Sequence, residues 1–70
     1  MNEFEERLRK LTPREREALI FIGKGYTAKA VAENMGCTKC TVEGFLDSVR
    51  KRLDMTTIEA VVIATKAGWL

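Results

Sequence analysis

Apolar side chains recur at helical spacing in five successive blocks of this chain, and threonine opens four of them. In the leading block Phe4, Leu8 and Leu11 stand at i, i+4 and i+7, which predicts a short helix or arm over residues 1–10. Thr12 heads the second block. Its hydroxyl suits an N-cap, Pro13 occupies the first helical position, where a missing N–H costs nothing, and Glu15 completes a T-x-x-E capping box. Ala18, Leu19 and Ile22 make the inner face of that helix, and Gly25 is its expected left-handed stop.

Thr27 caps the third predicted helix, which turns Ala30, Val31 and Met35 inward and ends at Gly36. Cys37 and Thr38 form a short connection. Thr38 caps the fourth helix, with Cys37 before the cap and Val42 one turn inside it placed as a hydrophobic staple. Val42, Leu46, Val49 and Leu53 then follow at offsets of four, three and four, a one-sided stripe. Thr56 and Glu59 form a second capping box and open a last helix that runs to about Lys66 and stops at Gly68. No segment alternates as a strand would, so the fold class is all-α. Two helices joined by a tight turn, the second packed by one face only, fit a helix-turn-helix. With the stripe inward, a 3.6-residue period turns Cys40, Gly44, Asp47 and Lys51 outward, flanked by Glu43, Ser48 and Arg50.

Seventy residues make one domain, spanning 1–70, with a core small enough that good caps or a partner subunit must add stability. Charged residues are plentiful and no apolar run reaches membrane-spanning length. The opening Met-Asn-Glu-Phe-Glu-Glu is acidic where a signal peptide is basic, so a cytoplasmic location is expected.

The net charge of +2 is low for a chain that must neutralise phosphates, but the charge is uneven. Arg7, Arg9, Lys10, Arg14 and Arg16 lie early, and Arg50, Lys51 and Arg52 are contiguous. The early set fits a solvated helix face as well as it fits a binding surface. Cys37 and Cys40 form a C-x-x-C, but without histidine or a second pair one chain cannot complete a tetrahedral zinc site. Packing is the simpler role for both, with a redox switch as the alternative. No cofactor or metal is expected. The chain lacks histidine, a glycine-rich phosphate loop and a base for a cysteine nucleophile, so an enzyme is not expected.

Several separated segments, in order, resemble the LuxR/GerE family of helix-turn-helix domains. These are Leu11-Thr-Pro-Arg-Glu-Arg-Glu-Ala-Leu19, Gly25, Lys29-Ala-Val-Ala-Glu-Asn-Met35, Thr41-Val42, Val49 to Leu53, and Glu59-Ala-Val61. The resemblance covers residues 11–70 and implies a short four-helix core behind the N-terminal arm. It also implies a stand-alone, GerE-like transcription regulator that binds double-stranded DNA as a homodimer. The helix from Thr38 to about Leu53 would then enter the major groove.

Phosphate contacts are expected from Thr27, Thr38 and Thr41 near helix N-termini, from Lys29, which matches a lysine common in the family, and from Arg50 and Lys51. Cys40, Glu43, Gly44 and Asp47 are expected to face bases. The last helix carries Ile58, Val61, Val62, Ile63 and Ala64 around more than one face. In similar proteins it makes a two-fold contact, which would engage Ile58, Val62, Ile63 and Lys66. The bland alternative makes Ala60 and Ala64 a mild outer face of a monomer.

The chain departs from the family pattern in two places. The positions of Glu43, Gly44 and Asp47 usually carry basic or amide groups, and that of Phe45 is commonly histidine. Before the last helix, Asp54-Met-Thr-Thr-Ile-Glu is one residue shorter than the usual segment and lacks its arginine. The acidic reading face opens an alternative: an interaction module, impaired in DNA binding, that pairs with and modulates another LuxR-type regulator.

Overall fold

The computed structural model describes the backbone of residues 3–70 and the side chains of residues 6–70, so the Phe4 side chain lies outside the described residues. Five helices follow one another: α1 (Glu3–Arg9), α2 (Pro13–Gly23), α3 (Ala28–Met35), α4 (Lys39–Leu53) and α5 (Thr57–Lys66). The expected N-terminal arm is thus a helix in its own right, and the described residues include no strand.

Threonine caps do what their positions demand. Thr12, Thr27, Thr38 and Thr56 are all extended, and each hydroxyl accepts the backbone N–H three residues on. Only Thr56 completes a full capping box, with Glu59 reaching back to the Thr56 N–H. The box expected at Thr12 is half formed. The Thr12 hydroxyl instead donates to Glu15 Oε1 at 3.0 Å, and the carboxylate turns inward until Glu15 is 4% exposed.

Four helix ends close with the six-residue backbone bond of a Schellman turn, among them α3, where Cys37 N–H donates to the Ala32 carbonyl at 3.0 Å. After α2, Gly25 takes φ +94°, its N–H donates to the Ile22 carbonyl and the Tyr26 N–H to the Phe21 carbonyl. The Phe21 and Tyr26 rings meet at 5.2 Å, supplying the apolar contact that accompanies such an end. Gly68 plays the same part after α5, with Trp69 N–H donating to the Ala64 carbonyl. The end of α4 makes the same bond without a glycine, Met55 N–H donating to the Arg50 carbonyl at 3.2 Å. Asp54 holds φ +53°, a left-handed conformation that strains a side-chain-bearing residue, in the segment where the chain departs from the family pattern.

The core divides into two clusters joined by α4. One gathers Ala18, Val31, Ala32, Met35, Val42 and Leu46 from α2, α3 and the first half of α4. The other gathers Leu8, Leu11, Leu19, Val49, Leu53, Ala60 and Ala64 from α1, α2, α5 and the second half of α4. Each fully buried leucine or valine contributes roughly 1.5–3 kcal/mol through removal of apolar surface from water.

Two inner-face assignments change. Ala32 is buried and Ala30 only half-buried, where Ala30 was expected inside. Ala60 and Ala64 are fully buried, which overturns the reading of them as an outer face. Their small side chains instead let α5 approach α4 and α2 closely.

The early basic residues are not simply a solvated face. Arg7 Nη1 donates to the Leu53 carbonyl at 3.1 Å and Arg14 Nη2 to the Met35 carbonyl at 2.9 Å, so each satisfies the last residue of another helix. Arg16 lies over the Trp69 ring, 4.2 Å from its centroid, and ties the C-terminal tail to α2.

Candidate nucleic-acid interface

The turn from Gly36 to Thr38 fixes how α4 is presented. Gly36 ends α3 at φ +68°, Cys37 packs against the first-half cluster beside Val42, and Thr38 starts α4. The staple positions, Cys37 and Val42, therefore meet the same apolar cluster. With Val42, Leu46, Val49 and Leu53 buried, α4 leaves Cys40, Thr41, Glu43, Gly44, Arg50 and Lys51 exposed, and Asp47 half exposed. Phe45 is half-buried against the core, so it acts in packing.

Three exposed threonines line the start of α3 and α4. Thr38 Oγ1 accepts the Thr41 N–H at 3.1 Å and shares a hydrogen bond of 3.0 Å with Thr41 Oγ1. Thr27 Oγ1 accepts the Ala30 N–H at 3.1 Å, one turn from Lys29, which has no hydrogen-bond or ion-pair partner among the described residues. Gly44 borders open space, since a Cβ placed there would meet nothing within 4 Å. No neighbour inside the domain requires glycine at that position.

Each acidic side chain of this face is matched by a cation of the same helix. Lys39 Nζ stands 3.8 Å from Glu43 Oε1. Asp47 is held on both oxygens, by Arg50 Nη2 at 3.3 Å and by Lys51 Nζ at 3.0 Å. The Lys51 hydrogen bond, followed by that of Arg50, draws the Asp47 carboxyl below its ordinary value of 3.8 and keeps it ionised. Arg50 Nη1 also donates to Thr57 Oγ1 at 3.3 Å and so reaches the first turn of α5.

Arg52, the third cation of the run, faces the other way. Its Nε comes within 3.1 Å of buried Glu15 Oε2, an ion-pair distance without hydrogen-bond alignment, and leaves that oxygen otherwise unsatisfied. The pair links α2 to the end of α4. Sequence reasoning missed it, because nothing local connects residues so far apart. The Lys39–Glu43 and Asp47–Arg50–Lys51 pairings, in contrast, carry i,i+3 and i,i+4 spacings that are readable in the sequence.

On α5, Ile58, Val62 and Lys66 stand four residues apart along one exposed strip, with Ile58 78% and Val62 46% exposed. Ile63 falls elsewhere. It is half-buried against the cluster of Leu8, Leu53 and Ala60, not on that strip. Among the described residues no helix is long and apolar enough to cross a membrane, and no three His, Cys, Asp or Glu side chains form a metal-binding group.

A short helix, a three-residue turn and a fifteen-residue helix with one buried stripe and one open face define a helix-turn-helix domain. Residues 9–65 match the GerE family, described as bacterial regulatory proteins of the luxR family, and the chain belongs to it. This family consists of DNA-binding transcription regulators. The chain is 38% identical over 52 residues to the transcriptional regulatory protein MctR of Rhizobium johnstonii. That match takes in 74% of this chain and 24% of MctR, so the chain spans about a quarter of that relative's length. No solved structure matches the chain.

Proposed function

We propose that this domain binds duplex DNA sequence-specifically as a homodimer, with α4 in the major groove, and so regulates transcription. The observation that carries this reading is the division of α4 into a fully used inner stripe and an open outer face beside capping threonines. An α-helix fills the major groove, so one free face is the physical requirement for base contact. Thr27, Lys29, Thr38 and Thr41 contact phosphates, joined by Arg50 and Lys51 when their ion pairs open. Cys40, Glu43, Gly44 and Asp47 face the bases. A two-fold contact through Ile58 and Val62, with Lys66 at its edge, removes an exposed apolar strip from water and sets two α4 helices one DNA turn apart. The domain acts by occupying DNA in the cytoplasm, at the nucleoid, and carries out no catalysis.

The test is selection of bound fragments from a genomic DNA pool across a salt series. The reading predicts enrichment of a two-fold symmetric site and affinity that falls steeply as salt rises. Absence of enrichment and of retention even at low salt would refute it.

One observation favours a second reading, in which the domain pairs with another LuxR-type regulator instead of with DNA. Both carboxylates of the outer face occupy cations that would otherwise meet phosphates. A Glu43→Lys, Asp47→Lys variant separates the two. Under the DNA reading it changes site preference; under the interaction reading it gains DNA binding that the parent lacks.

A further inference from the structure

We infer that Asp47 is a specificity-determining residue of the DNA face. It holds Arg50 and Lys51 in the free domain and releases them to phosphates when the exocyclic amine of a cytosine takes their place on its carboxylate. The inference rests on the DNA-binding reading above.

Geometry supplies the first part. Asp47 stands on the open face of α4, one oxygen 3.3 Å from Arg50 and the other 3.0 Å from Lys51. Both cations sit at the end of the helix, where phosphate contact is expected. While Asp47 holds them, its single negative charge offsets part of theirs and their contribution to non-specific binding is reduced. The pairs are exposed, and exposed ion pairs are weak enough to exchange partners without a large barrier. Arg50 is also steadied by Thr57, so it keeps its place near the start of α5 when Asp47 lets go.

Chemistry supplies the second part. An ionised carboxylate only accepts hydrogen bonds, and its lowered pKa keeps it in that form. Against a phosphate it is repelled. Among major-groove edges the amino group of cytosine is the donor that carboxylates recognise. Gly44, three residues earlier on the same face, presents no side chain, and the space beside it is open. Glu43 has no such arrangement, since among the described residues it pairs with Lys39 alone, at 3.8 Å. Where the contacted base presents only acceptors to the groove, as guanine and thymine do, Asp47 gains no donor and keeps its cations. Affinity is then withheld twice.

The experiment compares the parent, Asp47→Asn, an Arg50→Ala/Lys51→Ala double variant and the triple variant. Each is measured across a salt series on the selected site and on a scrambled duplex, with fragment selection repeated for Asp47→Asn. Because Asp47 is on the surface, all four should melt as folded domains, which circular dichroism checks. Asp47→Asn should bind the scrambled duplex several-fold more tightly. Its log affinity against log salt should steepen by about 0.9 for each cation released. The preference for cytosine at one position per half-site should fall about tenfold, in line with loss of one base contact. In the background lacking Arg50 and Lys51, the same substitution should leave the salt slope unchanged.

A slope and a base preference identical to the parent's would overturn the inference. So would steepening that persists without Arg50 and Lys51, which reports general charge removal, or an unaltered cytosine preference. If the parent and Asp47→Asn both fail to retain DNA at low salt, the DNA-binding reading itself falls and takes this inference with it.

Discussion

The first half of α4 buries Val42 and Leu46 against α2 and α3, while the second half buries Val49 and Leu53 against α1, α2 and α5. Both halves are anchored by apolar side chains on one stripe, yet their polar sides differ. At the start, Thr38 and Thr41 satisfy the helix end and Cys40 and Gly44 are open. At the far end every cation of the Arg50–Lys51–Arg52 run is already engaged, two by Asp47 and one by Glu15. A cluster of basic residues is therefore not equivalent to a free phosphate-binding surface. Arg52 serves the fold, whereas Arg50 and Lys51 reach DNA only by exchanging partners.

The widest test of this contrast is in the core. Leu53 is fully buried where α1, α4 and α5 meet, and Leu53→Ala should cost about 2–5 kcal/mol. In a domain of this size that is a large part of total stability. Urea unfolding should show the loss, and a change below about 1 kcal/mol would mean that the second half of α4 is not anchored as described.

Arg52→Ala comes next. It leaves the Glu15 carboxylate buried without its cation, at a cost of about 1–2 kcal/mol after discounting for the half-exposed guanidinium. Glu15→Gln removes the buried charge but keeps much of the side chain's shape, so it should cost less. Equal losses, or a reversed order in thermal melts, would place Arg52 with its exposed neighbours.

Thr38→Ala removes the cap of α4 and should cost about 1 kcal/mol, with faster amide exchange in the first turn. Unchanged exchange at Thr41 would count against the cap as the element that presents this end.

The smallest effect is the pH response of Asp47. Its carboxyl is drawn below 3.8 in the folded chain, so its contribution to stability is complete above that pH and is lost as acid protonates it. Asp47→Asn should flatten the acid limb of the melting curve slightly. An unaltered limb would argue that Arg50 and Lys51 do not hold the carboxylate.

Much of this architecture was readable locally. The cap threonines, the glycine stops and the Val42–Leu53 stripe place every core helix, because each signal acts within a turn or two of itself. Ala32 displaced Ala30 and Ala60 and Ala64 went inside because alanine fits either environment, and neighbouring helices decide which. Glu15 was read as a capping residue since its spacing from Thr12 is right for one. Its pairing with Arg52 depends on how α2 meets α4, which no local pattern encodes. Likewise Ile63 and Val62 are adjacent and chemically alike, and only packing separates the half-buried side chain from the exposed one.

The most direct test of the central claim is a nuclear magnetic resonance titration of the labelled domain with its selected duplex. The largest amide shifts are expected on Thr38, Cys40, Thr41, Glu43, Gly44 and Asp47, with Thr27 and Lys29 following. Shifts confined to α5 around Ile58 and Val62, or none at all on the open face of α4, would contradict that claim.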